Sequence, residues 1–193
     1  YFTLIYFTIQ VSVYGVLFYL PTRIAELLGT GIGLKVGALT SIPWIATVCM
    51  LYLVTRHADR KGQQTRYAAL MLAMAAVGMI GSTLSGNLVL VIMAFCVAAA
   101  GFITVQPLFW TLPTRFLGGA AAASGIAVIG ALGNLGGFLA PTVKTWAEGY
   151  FNNPHAGMYF LAGMAVLGAL MLIRSARTGH EPGKLPAPAP APH

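Results

Sequence analysis

The sequence has 193 residues, of which 58% are hydrophobic and 8% charged, and a formal net charge of +7. A soluble domain is about a quarter charged, so ordinary soluble classes are excluded. The cations flank apolar runs and no aromatic-rich basic groove accompanies them, so the positive balance is not a nucleic-acid footprint.

Residues 1–22, 36–55, 68–114 and 157–173 contain no Asp, Glu, Lys or Arg. A helix rises about 1.5 Å per residue and the hydrocarbon core is about 30 Å thick, so about 20 apolar residues make one crossing. The first span covers residues 1–20 and is expected to stop at Pro21. Its start lies inside an apolar run with no cationic region before it, so it does not read as a signal peptide. The expectation is a fragment, natural or truncated, whose N-terminal portion is missing. Within this span Gln10 and Tyr14 sit four apart, on one helical face.

The second span is expected over residues 35–55 and is followed by RHADRKGQQTRY, the densest charge cluster in the chain. Residues 68–114 suffice for two crossings, 68–85 and 87–112, with Ser85-Gly86-Asn87 as the turn between them. The fourth span ends in QPLFWTLPTRF, where Pro107 and Pro113 each remove a backbone N–H around Trp110 and Thr111. Irregular backbone survives at membrane depth only against protein or a water-filled cavity, so this segment reads either as a kinked helix packed on its neighbours or as a discontinuous, cavity-lining helix with Pro113 as a hinge.

The fifth span, residues 119–140, is built almost wholly of small residues, with Gly133 and Gly137 as a GxxxG pair and Ala121, Gly125, Gly130 and Gly136 as further close-approach positions. Asn134 lies in the middle of that surface and is a candidate ligand contact. Residues 141–156 are expected to be a connection, and the sixth span covers 157–173. The remainder, 174–193, is read as a cytoplasmic tail ending in a proline–alanine run that cannot pack a core. Cys49 and Cys96 fall inside spans and are expected to be small buried apolar side chains with no metal or disulfide role.

Six crossings put alternate connections on opposite sides. One side holds Arg56, Arg60, Lys61, Arg66, Arg115, Arg174, Arg177 and Lys184, and the other Arg23, Lys35 and Lys144. The excess of cations sits inside by the positive-inside rule, which puts the charged loop and the C-terminus in the cytoplasm. No charged residue or His is expected well inside a span, and HExxH, P-loop and GxSxG signatures are absent, so an enzyme, a metal site or a contained proton relay has no residues to stand on. No cofactor is expected. The residues alone leave open a transporter, a non-transporting scaffold and a solute-sensing subunit.

DRKG, residues 59–62, with Arg66 following, resembles the cytoplasmic loop motif of major facilitator superfamily transporters in its second-half copy, with Thr55 in place of the first glycine and Gln63-Gln64 in place of the basic pair. FWTLPTRFLGGAAAASGIAVIGALGNLGGFLAP is similar to helices ten and eleven of the anion:cation symporter family within that superfamily. YFTLIYFTIQVSVYGVLFYLPTRI looks like helix seven of its tartrate- and phthalate-like members.

The resemblance implies an all-α, polytopic protein forming helices seven to twelve of a twelve-helix fold, with an N-terminal six-helix half as partner. It also implies a small organic anion as substrate, H⁺ symport, alternating access and a location in the bacterial inner membrane. It implies Gln10, Tyr14, Trp110, Thr111 and Asn134 as substrate contacts, and Asp59, Arg60 and Pro113 as gating positions. The cation that pairs with the anion is expected from the partner half.

Overall fold

The computed structural model describes residues 1–116 and 120–177, and the side chains of 1–114 and 122–176. The chain order is α1 (Phe2–Leu28), α2 (Leu34–Lys61), α3 (Gln64–Leu84), α4 (Leu88–Trp110), a short α5 (Pro113–Phe116), α6 (Ala120–Phe151) and α7 (Ala156–Arg177), with no strand among the described residues. All but α5 are long and apolar enough to cross a bilayer, giving the six expected crossings.

Two helices run farther than their prolines suggested. Pro21 lies inside α1, which continues to Leu28, and Pro141 lies inside α6, which continues to Phe151. A proline costs a helix only the hydrogen bond to the residue four back, here the carbonyls of Leu17 and Gly137, and the ladder resumes on either side. Both helices continue without interruption, with Thr22 and Thr145 hydroxyls donating to Phe18 O at 3.0 Å and to Pro141 O at 2.9 Å in the turns that follow. The expected connection at 141–156 is therefore helical through Phe151. Arg23, Glu26, Lys144 and Glu148 stand on helices rather than in loops.

Two further corrections concern the fourth span and the tail. Pro107 leaves α4 intact. The interruption falls at Thr111 and Leu112, where the α region is disfavoured for the residue preceding Pro113, and Pro113 then opens α5. At the other end α7 extends to Arg177, past the expected limit at 173, and the proline–alanine run lies outside the described residues.

The buried core centres on α1, α3, α4 and α7, with Phe95, Phe102 and Phe109 of α4 fully enclosed. Backbones approach most closely between α3 and α4. A Cβ on Gly101 would strike Met71 O and sit 2.7 Å from the Ala75 methyl. On the other side of the core the Ser12 hydroxyl donates to Leu161 O at 3.1 Å, linking α1 to α7. By contrast α2 and α6 leave long apolar faces uncovered, including Ile45, Val48 and Tyr52 on α2 and Leu135 and Phe138 on α6. Cys49 belongs to that open face of α2 and is exposed, contrary to expectation, while Cys96 is half-buried.

The α3–α4 turn forms where the sequence placed it. Asn87 caps α4, its Oδ1 accepting from Val89 N–H at 2.9 Å. Replacing an N-cap Asn by Ala costs about 1 kcal/mol. Asn87→Ala is expected to lower the thermal midpoint by a few degrees, read by denaturation of the purified protein, and to leave solute handling unchanged.

Candidate functional site

The fifth crossing, α6, lies along α1 through the small residues that the sequence marked. A Cβ on Gly133 would collide with the Tyr6 ring. One on Gly136 would reach Phe7 O at 2.5 Å, and one on Gly137 would reach Tyr14 Cδ2 at 2.5 Å. Only hydrogen at these positions lets the two backbones approach so closely. Asn134 sits within this glycine surface, and across the seam Gln10 Nε2 donates to its Oδ1 at 2.5 Å. The two residues are 124 apart in the chain.

Their environments differ. Gln10 is 4% exposed and its Oε1 is buried with no protein partner, whereas Asn134 faces outward. An amide carries two N–H donors and a carbonyl acceptor. The pair therefore spends one donor and one acceptor on itself, and Asn134 keeps its remaining polar capacity at a cavity of about 480 Å³. That cavity is lined by Tyr14, Phe18, Asn134, Gly137, Phe138 and Pro141. Its volume lies within the usual range for small-molecule sites, and its walls are aromatic with few polar groups, as such sites commonly are.

Trp110 closes the end of the same seam. Its ring centroid lies 4.8 Å from that of Tyr6, tilted by 60°, and Gly130 of α6 lies against its far edge, with a Cβ there 3.8 Å from Cη2. Tyr6 in turn stacks on Phe109, with centroids 5.2 Å apart. Tyr6 was not singled out from the sequence, although its place one helical turn before Gln10 on the same face was a usable signal.

Thr111 takes a local role. Its hydroxyl donates to Leu108 O at 2.7 Å and it caps α4. Pro113 is buried at the start of α5. The structure thus gathers Gln10, Tyr14 and Asn134 at one place and sets Trp110 along the seam. Thr111 and Pro113 lie at the break in the fourth crossing.

Asp59 and Arg60 lie apart from this cavity, in the last turn of α2, and both are exposed. No ion pair joins them. Asp59 Oδ1 accepts from Gln64 Nε2 at 3.3 Å, across the turn into α3. Gly62 supplies the left-handed residue of that turn at φ 63°, with Gly62 N–H bonded to Asp59 O and Gln63 N–H to Ala58 O. Glycine adopts this conformation without the Cβ penalty, which gives DRKG a structural reason for its last residue.

Comparison with known proteins agrees with this architecture. The model of the Major Facilitator Superfamily matches residues 1–141. The chain belongs to that superfamily. It is 47% identical over 88% of its length to the Inner membrane transport protein RhmT of Escherichia coli (strain K12), covering 39% of that protein. It is 34% identical over 96% of its length to the "Putative tartrate transporter" of Agrobacterium vitis, covering 42% of it. It is 35% identical over 87% of its length to the Quinolone resistance transporter of Acinetobacter baumannii, covering 38% of it. The chain therefore spans about two fifths of these relatives. Their names are those of transport proteins, which supports the expectation that the superfamily member described here is not an enzyme. The multi-pass membrane architecture follows from the family and the six apolar helices together.

Proposed function

We propose that the chain is one six-helix half of a secondary transporter for small organic anions. In this reading it pairs with a second six-helix body and works by alternating access coupled to H⁺. The observation that carries this reading is the Gln10–Asn134 pair at the wall of the α1–α6 cavity. Asn134 lines the cavity, and with its Oδ1 taken by Gln10 its Nδ2 remains as a donor that suits carboxylate or hydroxyl oxygens, whereas the unpartnered Gln10 Oε1 is an acceptor behind it that suits only a donor such as a solute hydroxyl. Tyr14 and Phe18 act as apolar walls, and Trp110 fixes the packing of the seam.

The name of the relative from Agrobacterium vitis supports a hydroxy-dicarboxylate such as tartrate, with aromatic carboxylates and sugar acids as the neighbouring classes. The uncovered apolar faces of α2 and α6 supply surface for the second body and for lipid. The cation count supports a cytoplasmic side for the charged α2–α3 turn and the C-terminus, and the relative from Escherichia coli supports an inner membrane. Asp59, Arg60 and Pro113 act as gating positions, the first two at the cytoplasmic end and Pro113 at the break after α4. A non-transporting scaffold would have its polar groups turned to neighbouring helices, which the open cavity beside Asn134 disfavours.

The test is reconstitution of the intact protein in liposomes with an imposed pH gradient and radiolabelled tartrate, phthalate or gluconate inside or out. The expected result is accumulation of at least one of them that a protonophore abolishes. Movement of none of the three in either direction, with protein correctly inserted, would overturn the reading.

A further inference from the structure

The cavity at Asn134 does not end there. It shares Phe18 and Pro141 with a second cavity of about 150 Å³, which also touches Tyr19, Thr22 and Lys144. Those last three residues line a third cavity of about 340 Å³ as well. The three lie in succession along the α1–α6 seam, each sharing wall residues with the next. Lys144 is ten residues from Asn134 on one helix, about 15 Å along its axis.

The groove ends among charges. Lys144 Nζ lies 2.7 Å from Glu148 Oε1 and 4.8 Å from the centroid of the Tyr19 ring. Arg23 Nη1 lies 3.2 Å from Glu26 Oε2. The Lys144 and Arg23 side chains are only 18% and 16% exposed. Each cation has one carboxylate, so the cluster is close to neutral at rest and tolerable on an apolar flank. Yet its hydrogen-bonding capacity is not spent. An ammonium has three donors, and although Lys144 Nζ lies 2.7 Å from Glu148 Oε1 that oxygen has no aligned hydrogen-bond partner. Arg23 Nε and His155 Nδ1, both at the third cavity, are buried with no protein partner. Behind the pair stands the start of α7, where a Cβ on Gly157 would strike Lys144 Cγ and sit 2.9 Å from Glu148 Oε1. Gly157 thus bounds Glu148 on the α7 side, and the carboxylate lines the third cavity.

We propose that Lys144, with Arg23 beside it, forms an outer carboxylate-binding site at the mouth of the groove, and that the Glu148 carboxylate occupies it until a solute carboxylate takes its place. The exchange trades one carboxylate for another at the same ammonium, so the desolvated cation is never left bare. Arg23 Nε donates to the second oxygen of the solute. From this site the anion passes along Tyr19 and Phe18 to Asn134. The inference rests on the proposed transport of organic anions and adds a cation that this chain itself supplies, where the sequence pointed only to the partner half.

A structural staple and a competed binding site predict different signs. If the ion pair only ties one turn of α6 to the next, removing either partner breaks the same contact and weakens solute binding in the same direction. If Glu148 competes with solute, its removal frees the site. Equilibrium titration of tartrate, phthalate and gluconate into the purified intact transporter separates the two.

Lys144→Gln is expected to weaken binding about tenfold, the size of one charge-assisted contact. Lys144→Arg is expected to retain most of it. Glu148→Gln is expected to tighten binding about threefold, because the competent fraction of the site rises. A gain of affinity cannot come from misfolding, so this variant keeps the test decisive if Lys144→Gln proves unstable. Loss in both, or no change in either, would overturn the outer site while leaving the transport reading standing. Failure of the unsubstituted protein to bind any of the three anions would overturn the transport reading itself, and the outer site with it.

Discussion

Replacing Asn134 by Ala is expected to lower the transport rate at limiting solute by about a hundredfold, which corresponds to about 2.7 kcal/mol, the upper range for a polar partner lost in a desolvated site. The amide loses its contact with the solute, and Gln10, only 4% exposed, loses its one protein partner as well. Gln10→Ala is expected to have a comparable effect by a different route. It leaves Asn134 in place but unheld, so the amide that faces the cavity samples rotamers that do not meet the solute. Turning both amides over exchanges donor and acceptor and preserves the pair, so it is the pairing that matters rather than which nitrogen donates.

Because the two residues act as a unit, the double substitution should be little worse than either single one, with a coupling of about 1–3 kcal/mol in a double-mutant cycle. Uptake kinetics of the four proteins, alongside their thermal midpoints, provide the check. A purely structural pair would show midpoints that fall in step with activity. A solute-facing pair would lose activity with midpoints shifted by only a few degrees. Unchanged uptake by Asn134→Ala would remove its assigned role.

Much of the fold was legible because a bilayer imposes a length on its helices. Uncharged runs of about 20 residues have few alternatives to a crossing, and the Ser85-Gly86-Asn87 turn announced itself by a cap residue that the structure uses as a cap. The glycines of α6 were legible as a close-packing surface, though not the helix they would pack on. The helix ends were not legible. Pro21 and Pro141 read as stops because a soluble helix cannot spare the hydrogen bond they remove. Here the loss is confined to one bond at each proline, and the helices continue by about two turns in α1 and about three in α6.

That misreading had a chemical consequence. Four charged residues appeared to lie in loops, when Lys144 and Glu148 stand on the same helix as Asn134 and open onto the same groove. The Gln10–Asn134 contact was also beyond the sequence. Each residue was recognisable as an amide inside an apolar span, though Asn134 is exposed rather than buried, and a pairing across 124 residues depends on how α6 settles against α1. That in turn depends on glycines whose partners, Tyr6, Phe7 and Tyr14, are set only by the packed structure.

The packing of α3 on α4 carries the largest stability prediction. At an exposed helix position, replacing Gly by Ala gains about 1 kcal/mol, because glycine is the more costly residue to hold in a helix. At Gly101 the sign should reverse. The added carbon meets Met71 O, a backbone atom of the neighbouring helix that cannot rotate away, and it also presses on Ala75 N at 2.9 Å. Relief requires the helices to separate, which would strip contacts from Phe102 and Leu72 in the enclosed core.

Gly101→Ala is therefore expected to cost about 1–3 kcal/mol, and Gly101→Val more than that, through overpacking. With little free energy to spare in a typical fold, the valine variant should show a strongly reduced yield of monodisperse protein and a markedly lower thermal midpoint. The matched control is Gly163→Ala on α7, where an added Cβ meets nothing within 4 Å, so it should be neutral or mildly stabilising in the same assay. Equal behaviour of the two alanine variants would mean that α3 and α4 do not approach at Gly101 as closely as their backbones lie here.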